Sequence, residues 1–185
     1  YRAIADATRI TCFYEARMDE ASRARHSLAQ DLRHAVELNQ LELHYQVQTS
    51  IASGEICGYE ALLRWRHPVH GMVSPVEFIP IAEETGAILP IGEWVLRTAC
   101  REAASWSVPH KIAVNLSPVQ FANADLARVV HEVLLQTDLS PSRLELELTE
   151  STIIADKART LHILRQRKTL GVTIAIDDFG TGYSS

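Results

Sequence analysis

The chain has 185 residues, of which 46% are hydrophobic, and a formal net charge of −5 at pH 7. This length and composition suffice for one globular domain with a sizeable core. The acidic balance and the lack of a basic cluster argue against binding to a nucleic-acid polymer, which requires positive charge to neutralise phosphates. No apolar run approaches the roughly 18 residues that span a bilayer, so no membrane segment is expected in the chain.

The cysteines and the N-terminus indicate a cytoplasmic protein. Cys12, Cys57 and Cys100 are odd in number and widely spaced, and they form neither a C-x-x-C pair nor a disulfide framework. The N-terminus has no signal-peptide pattern. The first residue is Tyr1 rather than methionine, so we expect the chain to be cut from a longer protein, with any membrane anchor in an upstream segment.

The first elements are expected to be a helix and two strands. Apolar residues at helical spacing among charges predict a surface helix over residues 17–39. Residues 41–48 alternate between apolar and polar side chains and predict a strand. A second strand is expected over residues 55–65, after a turn that contains Ser53 and Gly54.

Two helices are expected to follow. Ser74, Pro75 and Glu77 have the order of an N-cap, a first helical residue and the partner of a capping box, and Gly86 is a plausible helix stop. The next apolar face predicts a helix over residues 91–106.

The rest of the chain alternates strands with helices. We expect strands over residues 111–117, 143–150 and 172–177, and helices over residues 126–134 and 156–170. Alternation of this kind requires parallel strands with helical crossovers, which fits either an open sheet or a closed barrel.

Polar residues at the ends of the predicted strands favour the barrel. Asn115, Glu147, Glu150, Asp177 and Asp178 all lie at or just past the carboxyl end of a short strand. In a (β/α)₈ barrel this rim carries the chemistry. The predicted fold is therefore α/β, a TIM-like (β/α)₈ barrel, with about the first five strands in this chain.

In two of the predicted strands, charged side chains lie on the same face. Strand periodicity places Glu60 and Arg64 on one face of the second strand, and Glu145 and Glu147 on one face of a later one. A salt bridge at a strand end would explain Glu60 and Arg64 by themselves. Several carboxylates on one face, however, require a cation or several donors, because burial of unpaired charge is unfavourable.

The pattern predicts a site for a hard divalent metal ion. The candidate ligands are Glu60, Asn115, Glu147, Asp177 and Asp178. Ligation by oxygen atoms favours Mg²⁺ or Mn²⁺ over zinc. Such a site beside an arginine suits hydrolysis of a phosphate ester, in which the metal activates a water molecule and Arg64 holds a phosphate.

Other chemistries are less well supported. His67 and His70 form the closest histidine pair, in a loop without partner cysteines, and a surface location explains them better than a metal site. No serine has a histidine at a suggestive position for acyl transfer. The loop at residues 179–183 lacks the G-x-x-x-x-G-K-[ST] pattern of nucleoside-triphosphate sites.

Four motifs in a fixed order point to a known family. YEALLRW, VNLSP, LELELTES and IDDFGTGYSS resemble the EAL domain, the cyclic di-GMP (c-di-GMP) phosphodiesterase of bacterial signalling. The resemblance covers roughly residues 25–185 and implies metal-dependent hydrolysis of c-di-GMP to linear pGpG. Val47 departs from the family, in which proline is common at this position.

The resemblance also implies roles for individual residues. Glu60, Asn115, Glu147 and Asp177 would ligate the catalytic Mg²⁺ or Mn²⁺, and Asp178 would help to hold a second ion, with Glu60, Asp177 and Asp178 as the catalytic carboxylates. Arg64 would contact a substrate phosphate and Gln46 a guanine. Glu150 would brace the loop that begins at Asp177, which in this family is associated with substrate and dimer coupling, so the full-length protein is expected to be a homodimer.

The resemblance divides the chain into two parts. Residues 21–185 would be the N-terminal part of an EAL domain. Residues 1–20 resemble the last helix and strand of a GGDEF domain, although Ile4 and Ala7 replace its usual lysine and glycine, and a linker helix is the alternative.

Residues that the family pattern places after Ser185 affect the expected activity. The pattern continues with a lysine, a further glutamate ligand and a glutamine that reads the substrate. We therefore expect the parent protein to be a phosphodiesterase and the 185-residue polypeptide by itself to be inactive. The alternatives are a degenerate EAL domain that senses c-di-GMP without cleaving it, against which the intact ligand set argues, and a protein-interaction module, for which we find no signal.

Overall fold

The computed structural model describes residues 22–149 and 171–177, and for Asp177 it describes the backbone alone. The predicted helix at residues 156–170, the remnant at residues 1–20, and the residues Glu150 and Asp178 lie outside this range. None of the helices in the described part is both long and apolar enough to cross a membrane.

The described residues form a sheet with helices on one side. Its strands are β1 (Leu41–Thr49), β2 (Ile56–His67), β3 (Gly71–Val73), β4 (Lys111–Asn115), β5 (Leu144–Thr149) and β6 (Thr173–Asp177). The helices are α1 (22–32), α2 (Pro75–Thr85), α3 (Ile88–Ser105), α4 (Pro118–Ala122) and α5 (Leu126–Thr137), with a 3₁₀ turn at Pro141–Arg143.

The sheet is parallel from its second strand onward, as the alternation of elements predicted. The strand order is β1-β2-β4-β5-β6, in which β1 is antiparallel to β2, and β2, β4, β5 and β6 run parallel. The short β3 forms an antiparallel hairpin with β2. The carboxyl ends of the four parallel strands therefore lie at one edge of the sheet.

The core lies between the sheet and its helices. Trp65 of β2 is fully buried, and its ring packs edge-on against Phe78 of α2 with the centroids 5.7 Å apart. Ala61 points to the same side, and Leu146 of β5 is also fully buried. Because side chains alternate along a strand, packing of this face against the helices directs Glu60 and Arg64 to the opposite face.

The ends of the second and third helices differ from the prediction in two places. The side chain of Ser74 makes no capping bond, so the predicted capping box with Glu77 is wrong; instead, the backbone carbonyl of Ser74 accepts the amides of Glu77 and Phe78. Gly86 ends α2 in the left-handed conformation, as predicted. Helix α3 begins at Ile88 rather than at residue 91, because Pro90 lies in the first turn, where no amide donor is needed.

The first predicted helix is shorter in the structure. Within the described residues it stops at 32, and turns follow up to residue 39. The amides of His34 and Ala35 bond to carbonyls three residues earlier, and Asn39 has a positive φ of 53°. This tightening turns the chain into β1. The short elements β3 and α4 were not predicted, and the Ser117–Gln120 spacing that caps α4 is a signal that could have revealed it.

Candidate active site

The predicted site residues share the face of the sheet that is turned away from the helices. Across the sheet, Gln46 lies opposite Glu60, and Asn115 lies opposite Glu147. Strands β2 and β4 are paired so that Glu60 lies opposite Ala113, two residues before Asn115. Residues that are directly paired or two apart point to the same face, so the sheet register brings these side chains together.

Glu60 and Asn115 are in direct contact. The amide Nδ2 of Asn115 donates a hydrogen bond of 2.6 Å to Oε1 of Glu60. Glu60 lies within β2, whereas Asn115 is the last residue of β4 and is exposed. Two oxygen-bearing side chains that the sequence separates by 55 positions therefore meet at the sheet surface.

Glu147 is more buried than Glu60, the other described carboxylate of the set. Its exposed fraction is 8%, and Nε2 of Gln48 donates to its Oε1 over 3.3 Å. Gln48 was not among the predicted site residues. The alternation along β1 places Gln48 on the same face as Gln46, and this pattern could have identified it from the sequence.

Glu145 has a simpler explanation than metal binding. It lies on the same face of β5 as Glu147, and Nζ of Lys111 lies 3.3 Å from its Oε2. Lys111 begins β4 and so places this ion pair toward the amino end of the parallel strands. Glu145 is therefore neutralised within the sheet, which leaves Glu147 as the acidic residue of β5 at the candidate site.

Arg64 is separated from Glu60 and available to an anion. Four strand residues span roughly 13 Å, and within the described residues the two side chains form no ion pair, contrary to the salt-bridge explanation. Nη1 of Arg64 donates to the backbone carbonyl of Leu63 over 2.9 Å. Arg64 and Asn115 are among the lining residues of a cavity of about 170 Å³, which also touches residues of α2 and α3.

The carboxylate that faces Arg64 across the sheet is already bound. Glu42 lies opposite Arg64 in the pairing of β1 with β2. Its two oxygens accept from Arg66 over 3.0 and 3.2 Å, and Nε2 of His44 lies 3.0 Å from Oε1. These bonds, first that of Arg66 and then that of His44, lower the pKa of Glu42. Glu42 therefore stays ionised, and it is bound to Arg66 and His44 rather than to Arg64.

The remaining predicted residues are described only in part. Gln46 is exposed beside Glu60 on β1. The backbone of Asp177 pairs with Thr149 at the carboxyl end of β6, next to the strand that carries Glu147. The side chain of Asp177, and all of Asp178 and Glu150, lie outside the described residues.

The donors that are described suit a hard divalent ion. Glu60, Asn115 and Glu147 all carry oxygen atoms, which Mg²⁺ and Mn²⁺ prefer. In the part of the chain that the structure describes, no three His, Cys, Asp or Glu side chains form a metal site by themselves. The donor set is thus chemically suitable, and its completion depends on Asp177 and Asp178.

Relatives of the chain include named signalling proteins. It is 54% identical, over its whole length, to an uncharacterized signaling protein of Caulobacter vibrioides. It is 49% identical, over 94% of its length, to the bifunctional diguanylate cyclase/cyclic di-GMP phosphodiesterase MucR of Pseudomonas aeruginosa. The chain spans 23% and 26% of the lengths of these two relatives.

Solved structures confirm the fold class. The PaMucR phosphodiesterase in complex with c-di-GMP matches with a TM-score of 0.81 and 52% identity, over 86% of this chain and 66% of that one. The EAL enzyme Bd1971, bound to cAMP and c-di-GMP, matches with a TM-score of 0.80 and 31% identity, over 89% of this chain and 46% of that one. The partial parallel sheet is thus part of a TIM-barrel-like fold. The family model of the EAL domain matches residues 29–185, and the chain therefore belongs to the EAL domain family.

Proposed function

We propose that the protein containing this chain hydrolyses c-di-GMP to linear pGpG with Mg²⁺ or Mn²⁺. The observation that carries the proposal is the convergence of Glu60, Asn115 and Glu147 on one sheet face, beside an arginine that no described carboxylate neutralises. Relatives named as c-di-GMP phosphodiesterases, such as MucR, support this substrate.

Each residue has a role that follows from its chemistry. Glu60, Asn115 and Glu147, together with Asp177 and Asp178, would hold the metal through oxygen atoms. A divalent ion held there would supply positive charge near the phosphoryl oxygens and would lower the pKa of a water molecule.

Two further groups orient the substrate. Arg64 presents guanidinium donors that match a phosphate group. Gln46 carries an amide that can pair with the edge of a guanine. Gln48 holds the carboxylate of Glu147 in place through its hydrogen bond.

Two carboxylates on the same strand provide a matched test. In the full-length protein, Glu147→Gln is expected to lower turnover of c-di-GMP by at least about 100-fold, because loss of a metal ligand costs at least as much as loss of its supporting partners. Glu145→Gln removes the same charge from a residue that is paired with Lys111, and it is expected to retain activity within about threefold. The activity of both variants is measured by chromatographic detection of pGpG in reactions that contain Mn²⁺, Mg²⁺ or a chelator.

The outcomes separate the candidate functions. Turnover that persists in the chelator or in Glu147→Gln would contradict the proposed metal site. Binding of c-di-GMP by the wild-type protein without turnover would favour the alternative of a sensor. Equal losses in the two variants would indicate a general effect of charge rather than a specific ligand.

Several expectations remain predictions within this proposal. They are the GGDEF-like or linker character of residues 1–20, the EAL portion over residues 21–185, the bracing role of Glu150, the cytoplasmic location and the homodimer. The inactivity of the 185-residue polypeptide by itself is another. Assay of that polypeptide beside the full-length protein tests it, and substantial turnover by the polypeptide would contradict it.

A further inference from the structure

The turn that follows Asn115 is held by a reciprocal capping box. Oγ of Ser117 accepts the backbone amide of Gln120 over 3.2 Å, and Oε1 of Gln120 accepts the backbone amide of Ser117 over 3.2 Å. These two bonds fix the chain where β4 becomes α4, two residues after the candidate metal ligand. The orientation of Asn115 is therefore coupled to the conformation of this turn.

The same turn is tied to the neighbouring strand. The amide of Leu116 donates to the carbonyl of Glu147 over 2.9 Å, and Asn115 itself is paired with Glu147 in the sheet. A shift of the turn would thus move two candidate ligands relative to each other.

The side chain of Gln120 occupies the space that a side chain at residue 92 would need. Its exposed fraction is 5%, and its side-chain amide lies directly over Gly92 of helix α3. A methyl group at Gly92 would overlap the amide nitrogen and lie 2.5 Å from Cδ of Gln120. Gly92 also lines the cavity that Asn115 and Arg64 share. Helix α3 therefore packs against the side chain of Gln120 that forms the capping box.

We propose that Gly92, Ser117 and Gln120 are positioning residues that set the place of Asn115 for metal binding. The inference rests on the proposed function insofar as that function assigns Asn115 as a ligand. None of the three needs to touch the metal or the substrate. Supporting partners of metal ligands typically contribute 10- to 100-fold in metal affinity.

Mn²⁺ binding to the full-length protein tests the inference without turnover. Gly92→Ala is expected to raise the dissociation constant for Mn²⁺, measured by calorimetry in the absence of substrate, by roughly tenfold. Alanine is intrinsically better than glycine inside a helix, so a loss must come from the contact with Gln120. Ser117→Ala is expected to weaken binding to a similar extent, whereas Ser117→Thr keeps the capping oxygen and should remain within about twofold of wild type.

Val130→Ala serves as the control for general destabilisation. Val130 is fully buried in α5, so this variant should lower the melting temperature but retain the increase in melting temperature that Mn²⁺ produces. In Gly92→Ala that increase should shrink. If Gly92→Ala does not fold, the pair Ser117→Ala and Ser117→Thr decides the question.

The results separate the inference from the proposed function. Wild-type Mn²⁺ affinity in both Gly92→Ala and Ser117→Ala would overturn the inference, as would a wild-type protein that binds no Mn²⁺. A wild-type protein that binds Mn²⁺ but does not cleave c-di-GMP would contradict the proposed function, whereas weakened binding in the variants would still support the positioning role.

Discussion

Replacement of Asn115 by alanine is expected to weaken the proposed catalysis strongly while leaving the fold almost intact. Asn115 ends β4, its side chain is exposed, and its amide donates a hydrogen bond of 2.6 Å to Glu60. The buried core beneath it, which includes Val114, is formed by other side chains. Loss of the amide therefore removes a candidate ligand without creating a cavity.

The size of each effect follows from this environment. A hydrogen bond to a charged group contributes about 1.5–3 kcal/mol, and exposure to water reduces this value, so we expect a loss of stability below about 1 kcal/mol. For a domain of this size that corresponds to a decrease in melting temperature of at most about 4 °C. Loss of a metal ligand should lower kcat/KM by at least about 100-fold, or about 2.7 kcal/mol of transition-state stabilisation.

Thermal melting and turnover of the full-length variant measure the two quantities separately. Asn123→Ala is a matched control, because Asn123 lies at the end of α4 and its Oδ1 accepts a hydrogen bond from the amide of Asp125 over 3.0 Å. It should lose a similar amount of stability and retain activity. Wild-type kcat/KM in Asn115→Ala would refute the ligand role. A decrease in melting temperature beyond about 10 °C would show that Asn115 acts through the fold.

Three further predictions concern the fold and the cysteines. Phe78→Ala should lower the free energy of unfolding by about 3–5 kcal/mol in chemical denaturation, because Phe78 is fully buried against Trp65; a loss below about 1 kcal/mol would contradict this packing. Gly86→Ala should cost about 1 kcal/mol in the same assay, because Gly86 has a φ of 76° and its surroundings leave space for a methyl group, so strain of the backbone is the only penalty; unchanged stability would refute the left-handed cap. Burial raises the pKa of Cys100 to about 12, whereas Cys57 is exposed. At pH 8 iodoacetamide should therefore modify Cys57 in the native protein and leave Cys100 unmodified until the protein unfolds. Mass spectrometry of the modified peptides measures this, and modification of Cys100 before Cys57 would contradict the prediction.

The elements of the sheet could be predicted because their patterns are local. Residues 41–48 alternate strictly, and β1 covers Leu41–Thr49. The apolar face from Leu126 predicted α5, which the structure confirms over Leu126–Thr137. Helix ends were less predictable, because caps depend on backbone geometry: Ser74 uses its carbonyl rather than its side chain.

The residues of the candidate site could be proposed from the sequence, but their contacts could not. The motifs predict Glu60, Asn115 and Glu147 as candidate ligands from the sequence alone. Strand periodicity also placed Glu145 beside Glu147, and only the pairing of β4 with β5 showed that Lys111 neutralises it. Gln48 likewise joins the candidate site only through tertiary packing, because its bond to Glu147 links residues 99 positions apart.

The sequence by itself determined the fold class and the chemical identity of the candidate ligands, because hydrophobic periodicity and short motifs are properties of neighbouring residues. The tertiary structure decided which polar side chains meet and which are already paired. Sheet register brings Asn115 to Glu60, Arg66 occupies Glu42 and leaves Arg64 without a carboxylate partner among the described residues, and Gly92 admits Gln120 beneath the turn. These relations depend on distances between elements that are far apart in the chain, and they arise only when the sheet and its helices pack.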